Sequence, residues 1–200
     1  MEADIAKAVL TYARLDLTEQ TSFVFGDINP RPSKQEKIKG LVASFRSHGI
    51  HRWLSQNAIP VKYSRALLTV EPILTVPEEP MQLPDLKTMF VNLVTQVRPL
   101  GGQHRYHALR AYVAELPGRI RTLEKDISRC IKEVESAEQE LAEADTDAHS
   151  GLERALANRQ QQLAHKQQEL ARDQRDLADG GHWLFIVYDE GTYFFLSALP

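Results

Sequence analysis

Pro99-Leu100-Gly101-Gly102-Gln103-His104-Arg105-Tyr106-His107-Ala108-Leu109-Arg110-Ala111-Tyr112 follows an apolar segment, Phe90-Val91-Asn92-Leu93-Val94. The apolar segment predicts a strand that ends at the glycines. Leu109 and Tyr112 then follow Arg105 at helical intervals, so one side of a helix can pack while its first turn stays open. A helix start carries backbone N–H groups without intrahelical acceptors and a partial positive charge. Gly101 and Gly102 let backbone approach a ligand closely, and His104 and Arg105 add donors beside those N–H groups. That is the local chemistry of an anion site, most often a phosphate site. The same pattern also describes an ordinary glycine turn before a helix with two exposed basic residues.

A second unit of this kind lies upstream. Ser22-Phe23-Val24-Phe25-Gly26-Asp27-Ile28 reads as a strand ending at Asn29-Pro30-Arg31-Pro32, where the prolines impose a rigid extended turn. Ser33-Lys34-Gln35-Glu36 is a capping-box pattern for a helix through about Ser47. Ile38, Leu41, Val42 and Phe45 give that helix a buried face, and Gly49 is placed to end it. Lys34, Lys37 and Lys39 read as its solvated face.

Gly-Gly-Gln-His-Arg-Tyr-His-Ala resembles the G-x-x-R-x-x-A box of the ParB/sulfiredoxin superfamily, with Gly102, Arg105 and Ala108 on the box. It is also similar to the DGQHR variant, with Gly101 at the Asp position. Asn29, Pro30 and Arg31 resemble the N-P-R turn of the amino-terminal ParB-like box, although the Gln-Pro-Arg that often completes it is absent. The resemblance implies an α/β domain with a small mixed sheet that binds a nucleotide at this turn. On that reading a nucleoside triphosphate or diphosphate, with Mg²⁺, meets Asn29, Arg31, Gly101, Gly102, Gln103, His104 and Arg105. Sulfiredoxins carry a catalytic Cys where this chain has Gln103, so sulfinate repair is not expected. An NTPase or phosphotransferase activity is the enzymatic form of the expectation, and Asp27, Glu71 and Asp189 are the carboxylates on offer. Relatives that bind DNA usually add a helix-turn-helix, which this sequence does not show.

Composition agrees with an ordinary globular protein: 200 residues, 42% hydrophobic, 26% charged and a net charge of −3. That charge gives no general attraction to DNA or anionic membrane. Apolar runs fall short of a bilayer span, and Met1-Glu2-Ala3-Asp4 lacks signal-peptide character, so an intracellular protein, cytoplasmic or nuclear, is expected. With one cysteine, Cys130, no intrachain disulfide can form. His48-x-x-His51 and His104-x-x-His107 read as turn or surface histidines rather than zinc ligands, because Gly49 interrupts the first pair.

The remaining elements follow from pattern. Ile5, Ala6, Val9, Leu10 and Ala13 recur at helical spacing and predict a short amphipathic helix. Residues 51–68 give no decided signal. Ala66 to Val70 and Pro72 to Val76 are β-favouring pieces interrupted by proline. His182 to Tyr188 and Thr192 to Leu196, around Asp189-Glu190-Gly191, suggest a hairpin or a strand with a returning edge.

After Pro117-Gly118 the composition shifts to Glu, Gln, Arg, Lys, Ala and Leu. Ile120, Leu123, Ile127, Cys130, Val134, Ala137 and Leu141 follow the three–four steps of a coiled-coil seam. Leu156, Leu163, Leu170 and Leu177 recur at heptad spacing, each followed by Ala. Arg159, Lys166 and Asp173 lie near that second seam and should weaken it. With a turn at 145–151, the expectation is an antiparallel helical hairpin of two roughly 25-residue helices, inserted at 119–179 into a core of 1–118 and 180–200. The small Ala row would let helices approach closely. The rival function is an interaction or DNA-associated module, or self-association, working through this coiled coil.

Overall fold

The computed structural model describes residues 8–17, 25, 33–90, 99–145 and 149–191. Its elements are β1 (Val9–Asp16), α1 (Gln35–His48), β2 (Ile59–Tyr63), α2 (Leu86–Phe90), α3 (Gln103–Glu143), α4 (His149–Ala178) and β3 (His182–Asp189). The chain divides into two compact units, one of residues 1–112 and 180–200 and one of residues 113–179. The class is α/β: a small mixed three-stranded sheet and a long antiparallel helix pair. No helix among the described residues is long and apolar enough to cross a membrane.

The sheet has the order β1-β3-β2, with β3 antiparallel to β1 and parallel to β2. β3 is central because it can be buried on both faces: Trp183, Leu184, Phe185 and Val187 are all fully enclosed. Both outer edges are covered by irregular backbone. Tyr12 N–H donates to Ile73 O over 2.7 Å and Arg14 N–H to Pro84 O over 3.0 Å along β1. Leu100 N–H donates to Pro60 O over 2.8 Å along β2. Covered edges have few open backbone groups to pair with another chain.

Phe45 of α1 meets Tyr112 of α3 edge-on at 5.8 Å and Trp183 of β3 at 6.2 Å, so α1 packs into the core of this unit. Ile38, Val42 and Phe45 are its buried face, with Leu41 half-buried, and Gly49 ends it with φ 77° and an N–H bond to Phe45 O. Buried Arg52 holds the start of β3, donating from Nη1 to Gly180 O at 2.6 Å and His182 O at 3.2 Å.

Several expectations are corrected. Val9, Leu10 and Ala13 lie in a strand, not a helix, because burial of Leu10, Ala13, Leu15 and Leu17 against half-exposed Tyr12, Arg14 and Asp16 follows a period nearer two. The capping box does not form: α1 begins at Gln35 with Lys34 as its N-cap and no side-chain cap bond, leaving Ser33 one residue too early. The undecided 51–68 segment contains β2, whereas Arg65–Leu67 is a 3₁₀ turn and residues 68–79 form no strand. Phe90 ends the short helix α2 and is not in a strand. The strands expected over 22–28 and 192–196 lie outside the described residues except Phe25, as do Val91 to Val94.

The helix pair also departs from expectation in detail. Pro117-Gly118 does not end the helix, since α3 is assigned through Pro117 to Glu143. A proline there removes one N–H donor, and neighbouring turns carry the helix across it. The helices are 41 and 30 residues long. The first seam holds: Cys130, Val134 and Ala137 are buried and its other members half-buried. On α4 the Leu positions 156, 163 and 170 are half-buried, but Ala157, Ala164, Ala171 and Ala178 are exposed. The alanines therefore do not bring the two helices together; they face away because a seam through 152, 156, 159, 163, 166, 170 and 173 takes the inside.

That inside is partly ionic. Arg119 Nε lies 3.0 Å from Asp173 Oδ2, Lys166 Nζ lies 3.2 Å from Asp126 Oδ2, and Arg159 Nη1 donates to Glu133 O over 3.2 Å. Going up α3 the partners are 119, 126 and 133; going down α4 they are 173, 166 and 159. Each step is one heptad, so one geometry repeats along the pair. Asp173 is fully enclosed.

Candidate functional site

Gly102 fixes the turn into α3. Its φ is +83°, and a Cβ there would stand 2.8 Å from Ile59 Cγ1 of β2. No other residue both accepts that backbone and clears that neighbour. Gly101 is less constrained, with only Pro60 Cγ at 3.9 Å from where its Cβ would lie. The first intrahelical bond is Tyr106 N–H to Gly102 O at 2.9 Å. By helix geometry the N–H groups of Gln103, His104 and Arg105 therefore precede the ladder and have no intrahelical acceptor.

This helix start opens on a cleft of about 580 Å³ lined by Lys37, Gly40, Leu41, Gly102, His104 and Arg105. The structure thus brings Gly102, His104 and Arg105 together. Gly101 and Gln103 adjoin the turn without being among these lining residues, and Asn29 and Arg31 lie outside the described residues. Lys37 joins the site instead of belonging only to a solvated face. Its signal was its place in the first turns of the helix after Asn29-Pro30-Arg31, but one strand-turn-helix unit does not announce which other helix it will face.

Arg105 is aimed by backbone. Its Nη1 donates to Asn57 O over 3.3 Å, the same carbonyl that accepts Trp183 Nε1 at 2.8 Å. The cation is thereby tied to the buried central strand. Burial lowers the Arg105 guanidinium from its ordinary value, which leaves it charged at neutral pH. His104 is fixed differently: its Nε2 accepts the backbone N–H of Lys34 at 3.0 Å.

One turn further along, Tyr106 and His107 meet edge-on at 5.1 Å, and Phe25 lies 5.4 Å from Tyr106. Arg110 stands 5.5 Å over the Tyr106 ring and donates to its hydroxyl at 2.8 Å. Burial first, then Arg110 and His104, push the His107 imidazole below its ordinary value. Its neutral form is thus the one the fold prefers. The linked stability is present above an unfolded value of about 6.5 and is lost as pH falls through the lower folded value. His107→Gln is expected to flatten the acid side of a melting-temperature profile taken from about pH 8 to 5; an unchanged profile would contradict this.

Of the carboxylates considered from sequence, Asp189 pairs with Arg65 at 3.3 Å, Glu71 is exposed, and Asp27 lies outside the described residues. Neither Asp189 nor Glu71 is among the cleft's described lining. Among the described residues no three of His, Cys, Asp and Glu come together as metal ligands would. The described lining carries three basic side chains and no acidic one, which suits an anion. No family model, no curated protein and no solved structure matches the chain.

Proposed function

We propose that the chain binds the phosphates of a nucleotide in the cleft at the start of α3. The observation that carries this reading is the convergence of Lys37, His104 and Arg105 around a glycine turn at a helix N-terminus. Arg105 and Lys37 supply fixed charge, and backbone N–H groups of the first turn supply directed donors. The resemblance to the ParB/sulfiredoxin superfamily supports the same reading and names the finer fold. It is also in keeping with a helix after the turn whose chain returns, through the helix pair, to a central strand of the sheet.

Mg²⁺ on such a ligand would be held mainly by phosphate oxygens and water, as is usual for this ion. The reading is of a binding module or nucleotide switch first, with hydrolysis or phosphotransfer as its enzymatic extension. Gln103 at the position of the sulfiredoxin cysteine cannot act as a thiolate nucleophile.

Titration with each nucleoside triphosphate and Mg²⁺ tests the proposal. Binding should raise the melting temperature, by about 2.7 kcal/mol of added stability at 100 times the dissociation constant. Arg105→Ala should weaken binding by about 1.5–3 kcal/mol, the scale of hydrogen bonds to a charged group. Lys37→Ala, on an exposed side chain, should cost about 0.5–1 kcal/mol, and both losses should shrink at high salt. Absence of any shift at millimolar nucleotide refutes the phosphate reading. Product analysis of the same samples separates binding from hydrolysis.

The alternative places function on the helix pair, as a surface for a protein partner or for self-association. The exposure of Ala157, Ala164 and Ala171 along α4, with Leu177 also exposed, favours it. Its mark would be association that nucleotide leaves unchanged.

A further inference from the structure

The bond between Lys34 N–H and His104 Nε2, 3.0 Å long, links the cleft to the start of α1. An imidazole nitrogen accepts a hydrogen bond only when it carries no proton, so this contact holds His104 neutral with its proton on Nδ1. The donor is the backbone of the residue that caps α1. In a capping box a Glu or Gln at the third helical position reaches back to that N–H. Here that position is Lys37, which offers only donors. His104, from a different helix, performs the task, and the same His104 lines the cleft.

Among the described residues, the charged and titratable groups near His104 are Lys34 and Lys37 at the start of α1 and, on α3, Arg105 and His107. These described neighbours are basic, and the geometry that ties His104 to α1 is the bond its bare Nε2 accepts. A polyphosphate brings more negative charge than Lys37 and Arg105 neutralise. Resting on the phosphate reading, we infer that a polyphosphate entering the cleft draws a proton onto His104 Nε2, which breaks the Lys34 bond and uncaps the start of α1. The proton comes from solvent; the imidazole becomes an imidazolium with two donors. Lys34 N–H, which is exposed, passes to water. Ligand occupancy is thereby converted into a change at the start of another helix.

The test uses inorganic pyrophosphate, the full chain and the variant His104→Gln, whose amide oxygen can accept the Lys34 bond but cannot take up a proton. Calorimetry in buffers of differing ionisation enthalpy should show wild type binding up to about one proton more per pyrophosphate than the variant. Across the imidazole range, wild-type affinity should fall with rising pH by up to about tenfold per unit relative to the variant. His107→Gln, which removes the neighbouring imidazole, should retain this difference. Nitrogen-15 spectra of wild type should show the His104 ring passing from the Nδ1–H form to imidazolium on saturation, and this readout decides the matter if the variant does not fold. Equal proton counts and parallel pH profiles, or a ring still neutral in the saturated complex, would overturn the inference while leaving the phosphate reading intact. Failure of pyrophosphate and nucleotides alike to bind would overturn both.

Discussion

Arg119→Met is expected to destabilise the helix pair by about 2–4 kcal/mol, measured by urea unfolding followed through helical circular dichroism. The substitution leaves Asp173, which has no solvent exposure, without the guanidinium that stands 3.0 Å away. Breaking a fully buried pair costs about 3–5 kcal/mol, and the partial exposure of Arg119 places this case somewhat lower. Arg172 Nε, 3.7 Å from Asp173 Oδ1, is a longer contact and offsets the loss only in part. The double variant Arg119→Met/Asp173→Leu should recover most of the loss, because it removes the buried charge together with its partner. A single-variant loss below about 0.5 kcal/mol, the range of ordinary surface changes, would show that the pair is of no consequence.

The same pairs specify register. A slip of one heptad would set Arg119 against Lys166 in one direction, with only Asp126–Arg159 as an opposite pair, and Asp126 against Asp173 in the other, with only Glu133–Lys166. Each places like charges face to face at an enclosed or half-enclosed position. A purely leucine seam would not penalise such a slip in this way, so the ionic residues weaken the interface and define it at once.

Gly102→Ala is the second large effect, expected at about 2–6 kcal/mol. Backbone held at φ +83° costs a residue with a Cβ about 1–3 kcal/mol. The 2.8 Å approach to Ile59 Cγ1 adds an overpacking cost of about 1–3 kcal/mol. Gly101→Ala is the control and should stay within about 0.5 kcal/mol, since its Cβ would find Pro60 at ordinary contact distance. Equal losses for both glycines in denaturant melts would contradict this assignment of roles.

This contrast shows what is legible in the sequence. The glycine pair is readable as a turn into a helix, but not which glycine is indispensable, because Ile59 approaches from a distant segment. The α1 face through Ile38, Val42 and Phe45, the α3 seam and the β3 run are readable because each has a local period or an unbroken apolar stretch. β1 reads wrongly as a helix because Val9, Leu10 and Ala13 fit a helical spacing as well as a bulged strand. β2, Ile59-Pro60-Val61-Lys62-Tyr63, is short and contains a proline, and only its pairing with β3 makes it a strand. In the candidate site, Gly102, His104 and Arg105 come from one contiguous motif. Lys37 reaches it only through the packing of α1, and the capping of Lys34 by His104 joins residues far apart in sequence.

The central place of β3 has a consequence for how the protein folds. β1 and β2 are not neighbours, so neither can pair in this sheet until residues 182–189 arrive between them. Such pairing has high contact order and is slow, because the chain must close a long loop before any bond rewards it. The helix pair is local by comparison, and its contacts form between segments joined by a short turn. Once formed, it replaces most of the flexible span between β2 and β3 with a closed unit whose Arg119 and Asp173 are in contact. The helix pair then acts as a folding tether: it shortens the search that β3 must make.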